Sequence, residues 1–225
     1  MELALIAHPL FLSMKTMAVS AVLFLIIGVP LAYLLSKENL RFKWLLDTIV
    51  TMPLIFPPIA VGFFLLLLLG RDGALGAFLQ KFDIGLIFSF TGIVIAAFIA
   101  GLPLMVKPLQ SSIEQFPKAI KEASYISGKS EVITFLFIVL PTIKNSLWVA
   151  LLISMARALG EVGITLMLGG NIIGKTDTIS LAIYNAVFDG EYDLAMILSG
   201  ILVVTSLLFF ISLNLLKKNK KIIEQ

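Results

Sequence analysis

Two ionisable side chains fall deep inside the apolar stretches of this 225-residue chain, Arg157 and Glu161, four residues apart and hence neighbours on one face of a helix. Either one alone in hydrocarbon costs roughly 2.5–3.5 kcal/mol on insertion scales, so the two are expected to pair. Such a pair has two uses: Arg157 draws a dianion into a pathway while Glu161 moderates its grip, or the two lock their helix against its neighbours. Little else in the sequence could do covalent chemistry. His8 is the sole histidine and precedes the first apolar run, cysteine is absent, and no aspartate falls within a run. Neither a nucleophile with its base nor a metal cluster can be assembled from that set. No G-x-x-x-x-G-K-[ST] loop occurs, so ATP hydrolysis is not native to the chain. Thr51, Ser154, Thr165 and Asn171 are uncharged polar positions that could line a path, although most such residues bond to carbonyls of their own helix.

The elements that must position these residues are membrane helices. Hydrophobic residues make up 59% of the chain and charged residues 14%, more apolar than a soluble domain can bury, so the solvent is lipid. A spanning helix needs roughly 20 apolar residues. Stretches near 17–35, 48–69, 84–106, 146–168 and 194–216 qualify, which predicts an all-α integral membrane protein of about five transmembrane helices. These form one domain over 10–216, followed by a basic tail, 217–225. The first run has one lysine before it and Lys37, Arg41 and Lys43 after it, the flank of a retained span rather than of a cleaved signal. Basic residues cluster in the first connection, in the third (Lys107, Lys118, Lys121, Lys129, Lys144) and at the end (Lys217, Lys218, Lys220, Lys221). Positive charge is retained on the cytoplasmic side, so the amino terminus is expected outside and the carboxyl terminus inside. The net charge of +3 thus reports topology and gives no reason to invoke nucleic acid.

Segment by segment, the second run holds Pro53, Pro57 and Pro58, and the freed carbonyls of a proline-kinked helix need neighbours in lipid. In the third, Ala96 with Ala100 and Ala97 with Gly101 repeat small residues at a spacing that lets helices approach. The connection 107–145 is long and rich in helix punctuation. Pro117 fits a first helical position there, and Ala119, Ile120, Ala123 and Ile126 then share one face while Lys118, Lys121, Glu122 and Lys129 fall elsewhere. This short amphipathic helix could fill a groove on a partner or lie on the membrane surface. The fourth connection, Gly169 to Asp193, contains a helix-like run from Ile179 to Phe188. Gly170 and Asn171 at its start are candidates for an external gate, and Asp189, Glu191 and Asp193 read as a solvated turn.

The 107–145 connection also carries a spaced pattern: Glu122, Ala123, Ser124, then Gly128 after three residues, then Ile138, Leu140 and Pro141 after nine more. It resembles the cytoplasmic EAA loop of binding-protein-dependent ABC importers, with Ser124 in place of the second alanine. Further stretches extend the resemblance to the molybdate permease branch. They are Met52–Pro58 with Gly62 and the Gly70–Gly73 turn, Leu102–Lys107, Ala156–Gly163 and Gly170–Thr176. Ile173 and Ser180 stand where family members often have proline, a departure expected to loosen the external loop. The resemblance implies that Glu122, Ala123, Ser124, Gly128, Ile138, Leu140 and Pro141 form a coupling element seated in a cleft of an ATPase subunit. It further implies a homodimeric pathway, two ATP-binding-cassette subunits holding ATP and Mg, and an extracytoplasmic molybdate-binding protein, with no cofactor on this chain. Tungstate and sulfate are the alternative cargoes. Five helices enclose a path poorly, which independently favours a symmetric pair. An ion-coupled secondary transporter fits less well, because no internal repeat is evident and a single acid lies in the spans.

Overall fold

The computed structural model describes the backbone of residues 2–223 and the side chains of residues 6–208 and 211. The side chains of the expected basic tail, 217–225, lie outside those described. Among the described residues the chain is helical, with no strand.

Helix α1 (Glu2–Leu23) continues into α2 (Val29–Leu35) through a wide turn, Phe24–Gly28, in which the Val29 N–H reaches the Phe24 carbonyl. Among the described residues, 6–35 are long and apolar enough to cross a membrane, so this helix extends well before 17. Two polar residues ahead of 17 lie against other elements: His8 Nδ1 is 3.1 Å from Asp177, and the Lys15 ammonium sits 4.4 Å from the Phe90 ring centroid.

The expected second span, 48–69, is two helices, α3 (Lys43–Ile55) and α4 (Pro58–Leu69), followed by α5 (Ala74–Gln80) at a bend of 44°. Phe56 and Pro57 each precede a proline, and both are extended (ψ 148° and 132°), since a following pyrrolidine ring disfavours helical backbone.

Helix α6 (Phe90–Glu114) is displaced toward the carboxyl end of the expected 84–106. Ser89 caps it by accepting the Gly92 N–H at 3.3 Å, and the chain before the cap turns through Asp83 and Phe88 at positive φ. Its polar end stays helical because neighbouring helix ends satisfy it. Lys107 pairs with Asp47, Lys43 with Glu114 at 3.3 Å, and Gln110 donates to the Leu35 carbonyl at 3.3 Å. Helix α6 therefore runs to Glu114, past residue 107, where the third connection was expected to begin. Helix α6 is the centre of the fold, packed by α1, α2, α3, α10 and α11. Ala96, Ala97, Ala100 and Gly101 are all buried, as their spacing predicts; a Cβ on Gly101 would come within 2.4 Å of the Phe24 ring.

After α7 (Lys118–Ile126), α8 (Glu131–Thr134) enters a second wide turn, Phe135–Val139, and α9 (Leu140–Thr142). Both wide turns begin at a buried phenylalanine six residues before a proline, Phe24 before Pro30 and Phe135 before Pro141. Widening the turn accommodates the missing donor and the ring without ending the helix. Pro141 is thus inside a helix, and the boundary falls at Ile143, where the chain bends by 79° into α10 (Lys144–Leu159). The fourth expected span, 146–168, is likewise divided, α10 ending at Leu159 and α11 (Gly163–Gly169) following a turn. Helix α12 (Ile179–Phe188) coincides with its expected run, and α13 (Tyr192–Ile223) extends the expected 194–216 at both ends.

Candidate coupling segment and intramembrane ion pair

Helix α7 begins at Lys118, with Pro117 (φ −55°, ψ 121°) as the flanking residue rather than the first helical one. Ala119, Ile120, Ala123 and Ile126, the residues expected on one face, are all exposed, Ile126 by 87%. The opposite face turns to the chain. Ser124 is buried with its hydroxyl 2.9 Å from that of Thr134, and Lys121 donates to the Ile113 carbonyl at 3.0 Å. Serine at the signature's second alanine therefore has a hydrogen-bond partner on α8. Burial, and then the neighbouring Lys118 charge, hold the Lys121 ammonium below the usual lysine range. Glu122 is exposed, and Gly128 (φ +79°) reverses the chain after α7, a conformation that strains any residue with a Cβ. Of the remaining signature positions, Ile138 and Leu140 are half-buried against the core beside the wide turn. The signature thus divides: Glu122 and Ala123 face out, Ser124 and Ile138 through Leu140 anchor the segment, and Gly128 turns between them.

Arg157 and Glu161 meet at 2.5 Å, as expected, but not on one continuous helix. Gly160 closes α10, and Glu161 lies in the turn before α11. The Glu161 side chain is 1% exposed and that of Arg157 29%. The second Glu161 oxygen accepts the Ile164 N–H at 2.7 Å, satisfying an otherwise orphaned donor in the first turn of α11. The cation lies at the carboxyl end of one helix and the anion at the amino end of the next, both favoured by the helix dipoles. Beside the carboxylate, Ser13, Thr16, Thr165 and Thr178 line a cavity of about 10 Å³, room for a water and not for a tetrahedral oxyanion.

Among the polar candidates, Thr51 donates to the Asp47 carbonyl and Ser154 to that of Ala150, each at 2.7 Å within its own helix. In the loop between α11 and α12 Gly170 (φ +74°) and Asn171 (φ +50°) are consecutive left-handed residues. The Asn171 amide donates to Asn185 on α12 at 2.5 Å and accepts from it at 3.1 Å, a reciprocal pair. Instead of loosening this loop, Ser180 ties it, donating to the Leu159 carbonyl at 2.8 Å, a bond proline could not make. Two features were not found from sequence: the Lys107–Asp47 pair, and the contact of Ser13 and His8 on α1 with Ile179 and Asp177 at the start of α12. Their partners lie 60 or more residues apart in the chain, and only the opposite charges gave any signal. Among the described residues, no group of acids and histidine is arranged to hold a metal.

Residues 15–220 match the family described as binding-protein-dependent transport system inner membrane component. The chain is 37% identical over 181 residues to a probable transport system permease protein, NifC, of Clostridium pasteurianum, covering 80% of this chain but 63% of that one. It is 32% identical over 203 residues to the molybdenum transport system permease protein ModB of Azotobacter vinelandii, covering 90% of both. A solved bacterial ABC transporter involved in the import of the acidic polysaccharide alginate shares the fold, with a TM-score of 0.70 at 20% identity, over 93% of this chain and 79% of that one.

Proposed function

The chain belongs to the family of binding-protein-dependent transport system inner membrane components, and from that premise we propose that it is the permease through which an ATP-driven importer takes up molybdate. As an inner-membrane transport component with several apolar helices, it is a multi-pass protein. The proposed topology has five passes, amino terminus outside and carboxyl terminus inside. Two copies enclose the path, two ATPase subunits supply energy, and an extracytoplasmic protein delivers the anion.

The observation that carries this reading is the exposed apolar face of α7 within the EAA-like signature. A soluble face bearing Ile120 and Ile126 wants a partner groove, and the buried Ser124–Thr134 bond fixes the helix that presents it. Arg157 and Glu161 are proposed as a lock between α10 and α11 rather than a binding site, since both carboxylate oxygens have partners within the chain. Gly170 and Asn171 are proposed to shape the outer gate.

The test is reconstitution of permease, ATPase and binding protein in vesicles. ATP-dependent uptake of molybdate is expected, with competition by tungstate and little by sulfate. Equal uptake of sulfate overturns the cargo assignment, and no oxyanion uptake overturns the function. Ala123→Asp places a carboxylate in the proposed apolar contact and is expected to lower uptake by at least roughly tenfold, the effect of disrupting an interface hot spot, while membrane insertion persists.

A further inference from the structure

The inner end of the first membrane helix is joined to the segment that follows α7 by two contacts of matched spacing. On α2 and the turn after it, Tyr33 and Lys37 are four residues apart. On α8 and the following wide turn, so are Glu131 and Phe135. The rings of Tyr33 and Phe135 stack at 4.2 Å between centroids, and the Lys37 ammonium donates to Glu131 at 2.6 Å. Cross-links between the layers are present as well: the Tyr33 hydroxyl donates to the same Glu131 oxygen at 3.4 Å, and Lys37 lies 4.9 Å from the Tyr33 ring centroid. The next residue, Glu38, reaches the other side of α7 and accepts from Lys118 at 3.0 Å. Adjacent residues of opposite charge, Lys37 and Glu38, therefore bracket α7, one beyond its carboxyl end and one at its amino end.

We propose that Tyr33, Lys37 and Glu38 are positioning residues of the coupling segment: they clasp α7 to the first helix, so that displacement of α7 moves that helix with it. The proposal rests on the assignment of α7 as the coupling helix. An exposed ion pair adds little to stability, and Glu38 and Lys118 are largely exposed, so the pairs set orientation and do not hold the fold together. The stacked Tyr33–Phe135 layer gives the clasp a half-buried floor, with Phe135 itself buried. Opposite charges at four contact positions leave no net charge to attract a small anion into the cleft they line, which suits a joint better than a ligand site.

Uptake of molybdate per ATP hydrolysed, measured in vesicles containing permease, ATPase and binding protein, reads the proposal directly. Lys37→Glu and Glu131→Lys are each expected to lower that ratio about threefold, and the exchanged pair Lys37→Glu/Glu131→Lys to recover to within about twofold of the parent, as a double-mutant cycle for one exposed contact requires. Assembly is checked by gel filtration, and Lys37→Gln replaces Lys37→Glu if the latter does not assemble. Parental ratios in the single variants, or an exchanged pair as poor as the singles, overturn the clasp. Ala123→Asp in the same vesicles separates the two levels. A loss there beside a normal Lys37→Glu sinks the clasp alone, whereas a normal ratio in Ala123→Asp sinks the coupling assignment beneath it.

Discussion

Glu161 shows what a buried charge requires: a cation on one oxygen and a backbone donor on the other. Removing one partner of a buried pair leaves an uncompensated charge, at a cost of about 3–5 kcal/mol. Arg157→Leu is therefore expected to lower the unfolding midpoint of the detergent-solubilised protein sharply, toward the lower end of that range because Arg157 keeps some solvent access. Glu161→Gln retains an acceptor for the Ile164 N–H and should lose less. Equal losses in the two variants would contradict the capping role. The spacing of the pair was legible in the sequence because four residues span about one turn. That the helix stops at Gly160 between them was not, since the pair closes equally well across the turn.

At the scale of elements, α4 and α11 approach each other closely through two glycines. A Cβ on Gly62 would lie 2.9 Å from the Ile164 Cα, and one on Gly163 would lie 2.9 Å from the Ile59 nitrogen, both against backbone that cannot rotate away. Gly62→Ala and Gly163→Ala are each expected to destabilise by about 1–3 kcal/mol, the usual cost of overpacking. Gly85→Ala, with nothing within 4 Å, is the control and should be neutral; thermal unfolding in detergent compares the three. The contact between α2 and α8 carries a pH dependence. The Lys37 hydrogen bond and charge hold Glu131 below its ordinary 4.5, so its contribution is present above that value and is lost as pH falls through the lowered one. The Glu131 hydrogen bond holds Lys37 above its ordinary 10.5, so that contribution is present below 10.5 and is lost as pH rises through the raised value. Spin labels at Asn39 and Lys129 should accordingly keep one distance between these limits and broaden on acidification below 4.5. A distance unchanged in strong acid would count against the contact.

For the whole molecule, the first helix touches both candidate regions. Lys37, just past its carboxyl end, meets Glu131 on α8, and toward its amino end Ser13 accepts the Ile179 N–H at 2.8 Å. The chain contains no cysteine, so topology can be mapped by single introduced thiols without removing any native one. Ser127→Cys is expected to react with an impermeant reagent only in inverted vesicles, and Asp189→Cys only in right-side-out vesicles; labelling of both from one face would overturn the proposed orientation. The sequence by itself determined that the helices are apolar, that α7 is amphipathic and which of its faces is apolar, and where α12 runs. Those properties follow from composition and periodicity within a few turns. Only the tertiary structure decided where the helices break and end. Paired prolines at 57 and 58 split one expected span, whereas Pro30 and Pro141 stay within helix behind the wide turns that precede them. The polar end of α6 stays helical because Asp47, Lys43 and Leu35, distant in the chain, satisfy it. A lone polar or proline residue reads as an interruption along the chain; whether it is one depends on the partner that packing brings to it.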